Sequence, residues 1–370
     1  MEQALLERVH GLSDLELATL LSLVAGQHCI VKGDEADLDA LSEELKLISS
    51  RVFGLSHATF HCTAETTLDD FGAAILVKRE GDGDEAQSQA TTSTSEPGSQ
   101  VRSKRHKDAP QQRSRPPVRD KDEPELSLAN VLIAKELNLA SRQVQIQALE
   151  LIRTRRILTR TAFHNAPKRF LFVTLLSSDS ASPPLVSHLN DLIFVSHAHS
   201  SEDGFPNLEE LNEEATSDHD SMSSVVKKSP VRGAKPDEGI PLISGQDIDE
   251  LIYRTNEVKI STEIKRYIQN IVIFLRMHRA VDGGISAQAT KHFDLLVKCL
   301  APLHSLTFAT PSLVALAARK VYPHRIKITT PENERSMQWG SDLEAVKALL
   351  EGVTPDDVID DVLGMVETPL

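Results

Sequence analysis

Aromatic side chains are scarce, only 4% of 370 residues with a single tryptophan. That leaves too few rings for a base-stacking or sugar-stacking surface, and it argues against a β-sandwich. Cysteine is nearly missing as well: Cys29, Cys62 and Cys299 are odd in number, far apart and without a CxxC pair. Neither a disulfide framework nor a zinc site is expected, and a reducing compartment fits. No apolar run reaches the ~18 residues of a membrane span, and the opening MEQALLERVH lacks the basic-then-apolar order of a signal peptide. The expectation is a cytoplasmic or nuclear protein with no membrane partner. Positive charge is also in deficit, 40 Lys plus Arg against 54 Asp plus Glu, for a formal charge of −14. A generally basic nucleic-acid binder is excluded, although a local basic arm is not. What is present, 40% hydrophobic residues, suffices for one or two cores of helix-rich or α/β type.

Residues 1–78 read as helices at Leu5–Val9 and Leu15–Val24, the second starting at a Ser13-Asp14 cap. A strand at Cys29–Val31, an acidic turn at Lys32–Asp37 and a helix with Leu38, Leu41, Leu45 and Ile48 on one face follow. A second strand is read at Ala58–Cys62. Residues 126–199 continue with strands at Val131–Ile133, Phe170–Leu176 and Leu192–Val195 around a helix at Val144–Ile152. Strands alternating with helices predict an α/β fold with a mainly parallel sheet covered on both faces.

Two stretches break this pattern. Residues 79–125 are poor in aliphatic side chains and turn from acidic to basic, and residues 200–241 are rich in Ser, Glu, Asp, Lys and Pro. Neither can offset its ordering entropy by burial, so both are expected to be disordered inserts. Residues 242–330 show helical spacing throughout, as in Ile264, Ile268, Ile271, Val272 and Leu275, and a last amphipathic pair occupies residues 331–370.

Several motifs resemble the AAA+ ATPases, in the branch of MoxR proteins and the magnesium chelatase ATPase subunit. One is Leu132-Ile-Ala-Lys135-Glu136-Leu-Asn138-Leu-Ala140 with Gln145 and Ala148-Leu149-Glu150 behind it. Others are Tyr267-Ile268, Arg276-Met-His278, Gly284-Ile-Ser286-Ala-Gln288-Ala289, Ala309-Thr310-Pro311 and His324-Arg325-Ile326. The resemblance implies a P-loop-type parallel sheet with a C-terminal helical lid, spanning the ordered sequence to about residue 330.

The phosphate-binding positions depart from that family. A P-loop requires G-x-x-x-x-G-K-[ST], because glycines let amides wrap the phosphates, Lys neutralises them and the hydroxyl holds Mg²⁺. Here the text is Lys32-Gly33-Asp34-Glu35-Ala36-Asp37. Carboxylates would face a triphosphate, repelling it by about 1 kcal/mol per contact in water and about 4 near a protein surface. The same carboxylates suit the N-terminus of the following helix and are expected to cap it. By the resemblance, Lys135 takes the place of the Mg²⁺-holding Asp, while Glu136 and Asn138 are remnants of the catalytic motif. Ser177-Ser178 stands in for the polar sensor, Asn190-Asp191-Leu192 lacks the trans-acting arginine, and Gln288 replaces the lid arginine. Lys135 is expected to be a solvated strand-end side chain, and Asn138 a helix cap beside a carboxylate.

His197 and His199 share one face of a strand end near Glu202 and Asp203, but a third ligand at recognised spacing is lacking, so no metal is expected. No G-x-S-x-G elbow occurs. The basic arm Arg102, Lys104, Arg105, Lys107, Arg113 and Arg115 has the spacing of a two-part import signal and equally suits a linker or a nucleic-acid contact. Ser229-Pro230 beside Lys227-Lys228 marks a candidate phosphorylation site. The expected function is a non-hydrolysing scaffold or adaptor joining itself or an active relative, with no cofactor. Two alternatives stand beside it. One is an active ATPase subunit of the chelatase or MoxR type using Mg-ATP, and the other a nuclear nucleic-acid-associated protein acting through the basic arm.

Overall fold

The computed structural model describes residues 2–78, 126–159, 162–179, 183–217 and 241–369. Residues 1–77 with 128–370 make up one compact unit, and residues 78–127 belong to a second that is described only at its ends. The expected insert at 79–125, with its basic arm, therefore lies outside the described residues, as does the Ser229-Pro230 site.

A five-stranded sheet organises the first unit: β1 (Cys29–Gly33), β2 (His57–His61), β3 (Val131–Lys135), β4 (Leu171–Ser177) and β5 (Val195–Ala198). All neighbouring strands are parallel, in the order β2-β3-β4-β1-β5. The three inner strands are apolar at successive positions because helices cover both faces. Val31, Ile133, Val173 and Leu175 point into one core, whereas Ile30, Leu132, Ala134 and Phe172 point into the other.

Helices α1 (Glu2–His10) and α2 (Asp14–Ala25) precede the sheet; α3 (Leu38–Leu47), α4 (Leu68–Ala74) and α5 (Arg142–Thr154) follow β1, β2 and β3. Next come α6 (Ser187–Leu192) and, after β5, α7 (Pro206–Ser217). The lid comprises α8 (Gly245–Glu257), α9 (Thr262–Met277), α10 (Ala287–Leu303) and α11 (Pro311–Val321), followed by α12 (Leu343–Leu350) and α13 (Pro355–Met365). Many starts are set by local chemistry. Ser13 and Glu16 close a reciprocal box at α2, Thr354 and Asp357 do so at α13, and Thr310 caps α11 with Pro311 at its first position. The lid shares its core with the sheet: α2 packs against both α8 and α10, and one apolar cluster runs from Val31 and Val173 to Leu296 and Val314.

Two expectations change, and the terminal helical pair gains a location. The strand read at Leu192–Val195 begins later, because Leu192 ends α6 and Phe194 is the first residue to donate to the neighbouring chain, at His28 O (2.7 Å). The segment from residue 200, read as disordered, instead forms a helical turn at Ser201–Asp203 and then α7. Its anchor is buried Asn207, whose amide bridges two buried carboxylates, Glu16 (2.9 Å) and Glu44 (2.7 Å), while the backbone N–H groups of Asn207 and Leu208 donate to Glu44. A carboxylate from α3 thus satisfies the orphan amides at the start of α7, a partner invisible in local composition. Finally, the terminal helices dock on the body: Val358, Ile359 and Val362 are buried, and Arg319 on α11 pairs with Asp360 (2.9 Å).

Four buried histidines bear on stability. Burial, the largest cause in each case, lowers His28 and His292 to about 3 and His197 to about 4, and holds His324 well below its usual 6.5. The unfolded chain therefore takes up protons below pH 6.5 that the folded chain refuses, so stability falls as pH drops, and this loss ends only near pH 3–4. Each histidine contributes about 1.4 kcal/mol per pH unit, against a total of about 5–15 kcal/mol for a domain. Urea unfolding at pH 7, 6 and 5 should show midpoints falling steeply below pH 6.5; a constant midpoint would refute the neutral-histidine core.

Candidate functional site

In a parallel α/β sheet the crevice at the carboxyl ends of the strands is where ligands bind. Here β1 ends at Gly33, and a 3₁₀ turn over Glu35–Asp37 leads into α3 at Leu38, where the residues of a Gly-Lys-Ser/Thr are replaced by Leu38, Asp39 and Ala40. The amides that would cradle phosphate are turned inward: Asp37 N–H donates to Asp34 O (3.0 Å) and Leu38 N–H to Glu35 O. Gly33 serves packing, since a Cβ there would lie 2.4 Å from Leu41 Cδ1, and Leu41 is fully buried beneath the loop. The expected carboxylate cap does not form, because neither Asp34 nor Asp37 hydrogen-bonds the helix amides. Asp34 and Glu35 are exposed, and Asp37 instead accepts from Ser201 Oγ (2.6 Å), tying the loop to the turn before α7.

Lys135 is neither solvated nor free. Its ammonium sits 2.5 Å from Asp39 Oδ1 in the first turn of α3, and this lysine, by hydrogen bond and by charge, holds the Asp39 carboxyl below its usual range. The Lys135–Asp39 pair thereby fastens β3 to α3. Glu136 takes a left-handed backbone (φ 55°), its N–H donating to Leu175 O (2.8 Å) and its carboxylate lying 2.7 Å from His61 Nε2 on β2. Asn138 is not a cap: it lies inside a short turn, buried, with Nδ2 donating to Pro183 O (3.0 Å), and Ser141 caps α5 instead. Glu136 and Asn138 therefore have separate partners. Ser177 and Ser178 also turn to local tasks, Ser177 Oγ accepting from Asp179 N–H and Ser178 N–H donating to Gly33 O.

The remaining degenerate positions converge on a lock between lid and sheet. Arg325, just beyond α11, has a side chain only 1% exposed, and burial lowers its pKa to about 10, so it stays charged at neutral pH. Nη1 donates to Asp191 Oδ1 (3.0 Å), Nη2 to the Ile193 carbonyl and to His292 Nδ1 (2.6 Å), and Nε to His324 Nε2 (3.2 Å). Burial and then the Arg325 charge keep both histidines neutral, so they can accept. Around this centre, Ser286 Oγ donates to Asp191 Oδ1 (2.5 Å), Asn190 Nδ2 donates to His324 O (2.7 Å), and the Gln288 amide meets His292 Nε2 (2.7 Å). Gly284, at φ 104°, lets its backbone pass so close to Arg325 that any Cβ would clash with the Arg325 carbonyl. Asn190, Asp191 and Gln288 are thus brought together with Arg325 where the C-terminal helices meet the sheet.

His197 and His199 lie side by side, ring centroids 6.2 Å apart, but both are buried rather than at a polar strand end. His199 Nδ1 is 3.9 Å from Asp203. No set of three metal-ligating side chains occurs among the described residues. Sequence reasoning missed Asp39, His292 and Arg325 as partners; Arg325 stood inside the matched His-Arg-Ile, but nothing local marks its acceptors. Replacing Arg325 with Met should remove the lock at nearly constant volume and leave Asp191 with Ser286 but no cation, a loss of about 3 kcal/mol with earlier proteolysis between sheet and lid. Unchanged denaturation and cleavage would show that the apolar core alone fixes the lid.

No known family profile matches the chain. Three yeast proteins named maintenance of telomere capping protein 2 resemble part of it. The Lachancea thermotolerans protein is 28% identical over 113 residues, 29% of this chain and 40% of its own. The Kluyveromyces lactis protein is 30% identical over 92 residues, 24% and 34%. The Saccharomyces cerevisiae protein is 29% identical over 101 residues, 26% and 28%. The chain thus spans no more than about two fifths of the relatives it matches. In three dimensions it is similar to the crystal structure of a provisionally assigned ATPase from Cytophaga hutchinsonii, with a TM-score of 0.63 at 13% identity over 100% of this chain and 94% of the other. The chain accordingly shares the fold of that structure, an α/β fold with a mostly parallel sheet between helices and further helices at its C-terminal end.

Proposed function

We propose that this chain is a nucleotide-independent scaffold or adaptor: an AAA+ framework that works by binding other proteins, itself or an active relative among them. The observation that carries the reading is the β1–α3 loop, which lacks Gly-Lys-Ser/Thr and whose Asp37 and Leu38 N–H groups donate to backbone carbonyls of the same turn. The Lys135–Asp39 pair and the Arg325 lock support it, since the first puts a cation where Mg²⁺ would be held and the second joins lid to sheet without nucleotide. In ATPases of this fold family the lid closes on nucleotide; here protein groups replace that contact. The setting is drawn from the relatives' shared name, telomere capping, and is therefore the nucleus.

Isothermal titration of the full chain with Mg-ATP and with Mg-ADP should give no binding at millimolar nucleotide, and size-exclusion chromatography with light scattering should give the same mass with and without ATP. Micromolar ATP binding or turnover that disappears in Glu136→Gln would overturn the scaffold reading and restore the ATPase one.

A further inference from the structure

We infer that Ser201 is a phosphorylation site for an acid-directed serine kinase, and that the phosphate loosens α7 from the body of the protein. The short segment between β5 and α7 is held at two points with a hinge between them. At the first, Ser201 Oγ donates to Asp37 Oδ2 in the β1–α3 loop (2.6 Å). At the second, buried Asn207 sits in a socket formed by Glu16 of α2 and Glu44 of α3. Between them Gly204 takes φ 66° and ψ −174°, a conformation essentially confined to glycine, so backbone rotation there meets no Cβ.

Both anchors end on carboxylates. Among the described residues, the segment from Ser201 to Leu208 reaches other elements by neutral O–H and N–H donors to Asp37, Glu16 and Glu44. His199, the basic group beside the segment, lies 3.9 Å from Asp203 instead. Asp34 and Glu35 are exposed on the same loop as Asp37, and the sequence of α7 contains four glutamates and no lysine or arginine. A contact with negative charge on both sides accepts a neutral donor and rejects a further anion. Phosphoserine carries about −1.5 to −2 charge at neutral pH and no longer has the hydroxyl hydrogen that Asp37 accepts. Phosphorylation thus turns an attractive contact into repulsion between phosphate and carboxylate, to which Asp34 and Glu35 add.

Ser201 is also the hydroxyl that a kinase can reach. It is exposed at the start of a one-turn helix, whereas Ser200 Oγ serves as the cap and accepts from Glu202 N–H (3.1 Å). Exposed Glu202 and Asp203 follow it directly, and no lysine or arginine occurs between Arg169 and Lys227. That context suits a kinase whose substrate groove is basic, not one that reads arginine upstream. The kinase transfers the γ-phosphoryl group of ATP: a P–O bond forms to Ser201 Oγ, the bond to the β-phosphate oxygen breaks, ADP leaves, and the hydroxyl proton passes to the kinase's base. With the first anchor gone, α7 is held by the Asn207 socket and apolar contact, so it opens more often and bares the α3 face on which it packs. The inference holds whether or not this chain itself binds nucleotide.

The test incubates the full chain with Mg-ATP and an acid-directed serine kinase of the casein kinase type. Mass spectrometry should place a phosphate on Ser201, and hydrogen exchange of the α7 amides should then quicken about tenfold while the central strands keep their protection. Ser201→Glu should quicken α7 exchange in the same direction, and added salt should reverse part of the effect. Ser201→Ala removes the hydrogen bond without adding charge, so it should do less and should block the phosphorylation. Both variants should keep the parent's melting temperature, because Ser201 is exposed. A phosphate on other serines only, or none, would overturn the proposal. So would a phosphorylated chain with unchanged α7 exchange, or exchange in Ser201→Glu no faster than in Ser201→Ala.

Discussion

A guanidinium withdrawn from water must find an acceptor for each of its N–H groups, or the structure that buries it will not persist. Arg325 meets that demand for four of its five N–H groups, with an Asp191 carboxylate, the Ile193 carbonyl and two histidines kept neutral by burial and by the arginine itself. Because its acceptors come from the segment between β4 and β5 and from α10, the arginine can be satisfied only when lid and sheet are in one particular arrangement. The apolar core shared by α2, α8 and α10 holds the layers together, and the polar lock selects how they meet.

The same logic explains the strand ends. A P-loop leaves backbone amides unpaired so that an anion can take them, which means the empty loop is held open at an energetic cost. At these strand ends the Asp37 and Leu38 amides, the Lys135 ammonium and the Glu136 carboxylate all have protein partners. Ser201, reaching Asp37, adds the segment before α7 to the same network. A site satisfied internally gains stability and loses the capacity to be driven by a ligand, since a ligand shifts only equilibria in which it replaces something weaker.

Much of the fold was legible from short-range signals. The apolar run at Val31, the Ser13–Glu16 box and Thr310-Pro311 before α11 specify strand, cap and helix start from neighbours within a few positions. The start of α7 was not legible, because Asn207 and Glu44 are 163 residues apart in the chain. Lys135 and Asp39, 96 apart, and Arg325 and Asp191, 134 apart, escaped for the same reason. Motif reasoning singled out Lys135, Gln288 and Asn190-Asp191 but did not foresee the contacts they make.

What the sequence by itself determined is therefore the period and order of the elements, and the lack of a Gly-Lys-Ser/Thr after the first strand. Backbone preference, capping and apolar spacing act over a turn or two, so they can be read along the chain. Tertiary structure alone decided which charges meet and which histidines lose their water. Those outcomes depend on burial and on distances through space, and neither exists until strands and lid have closed on one another.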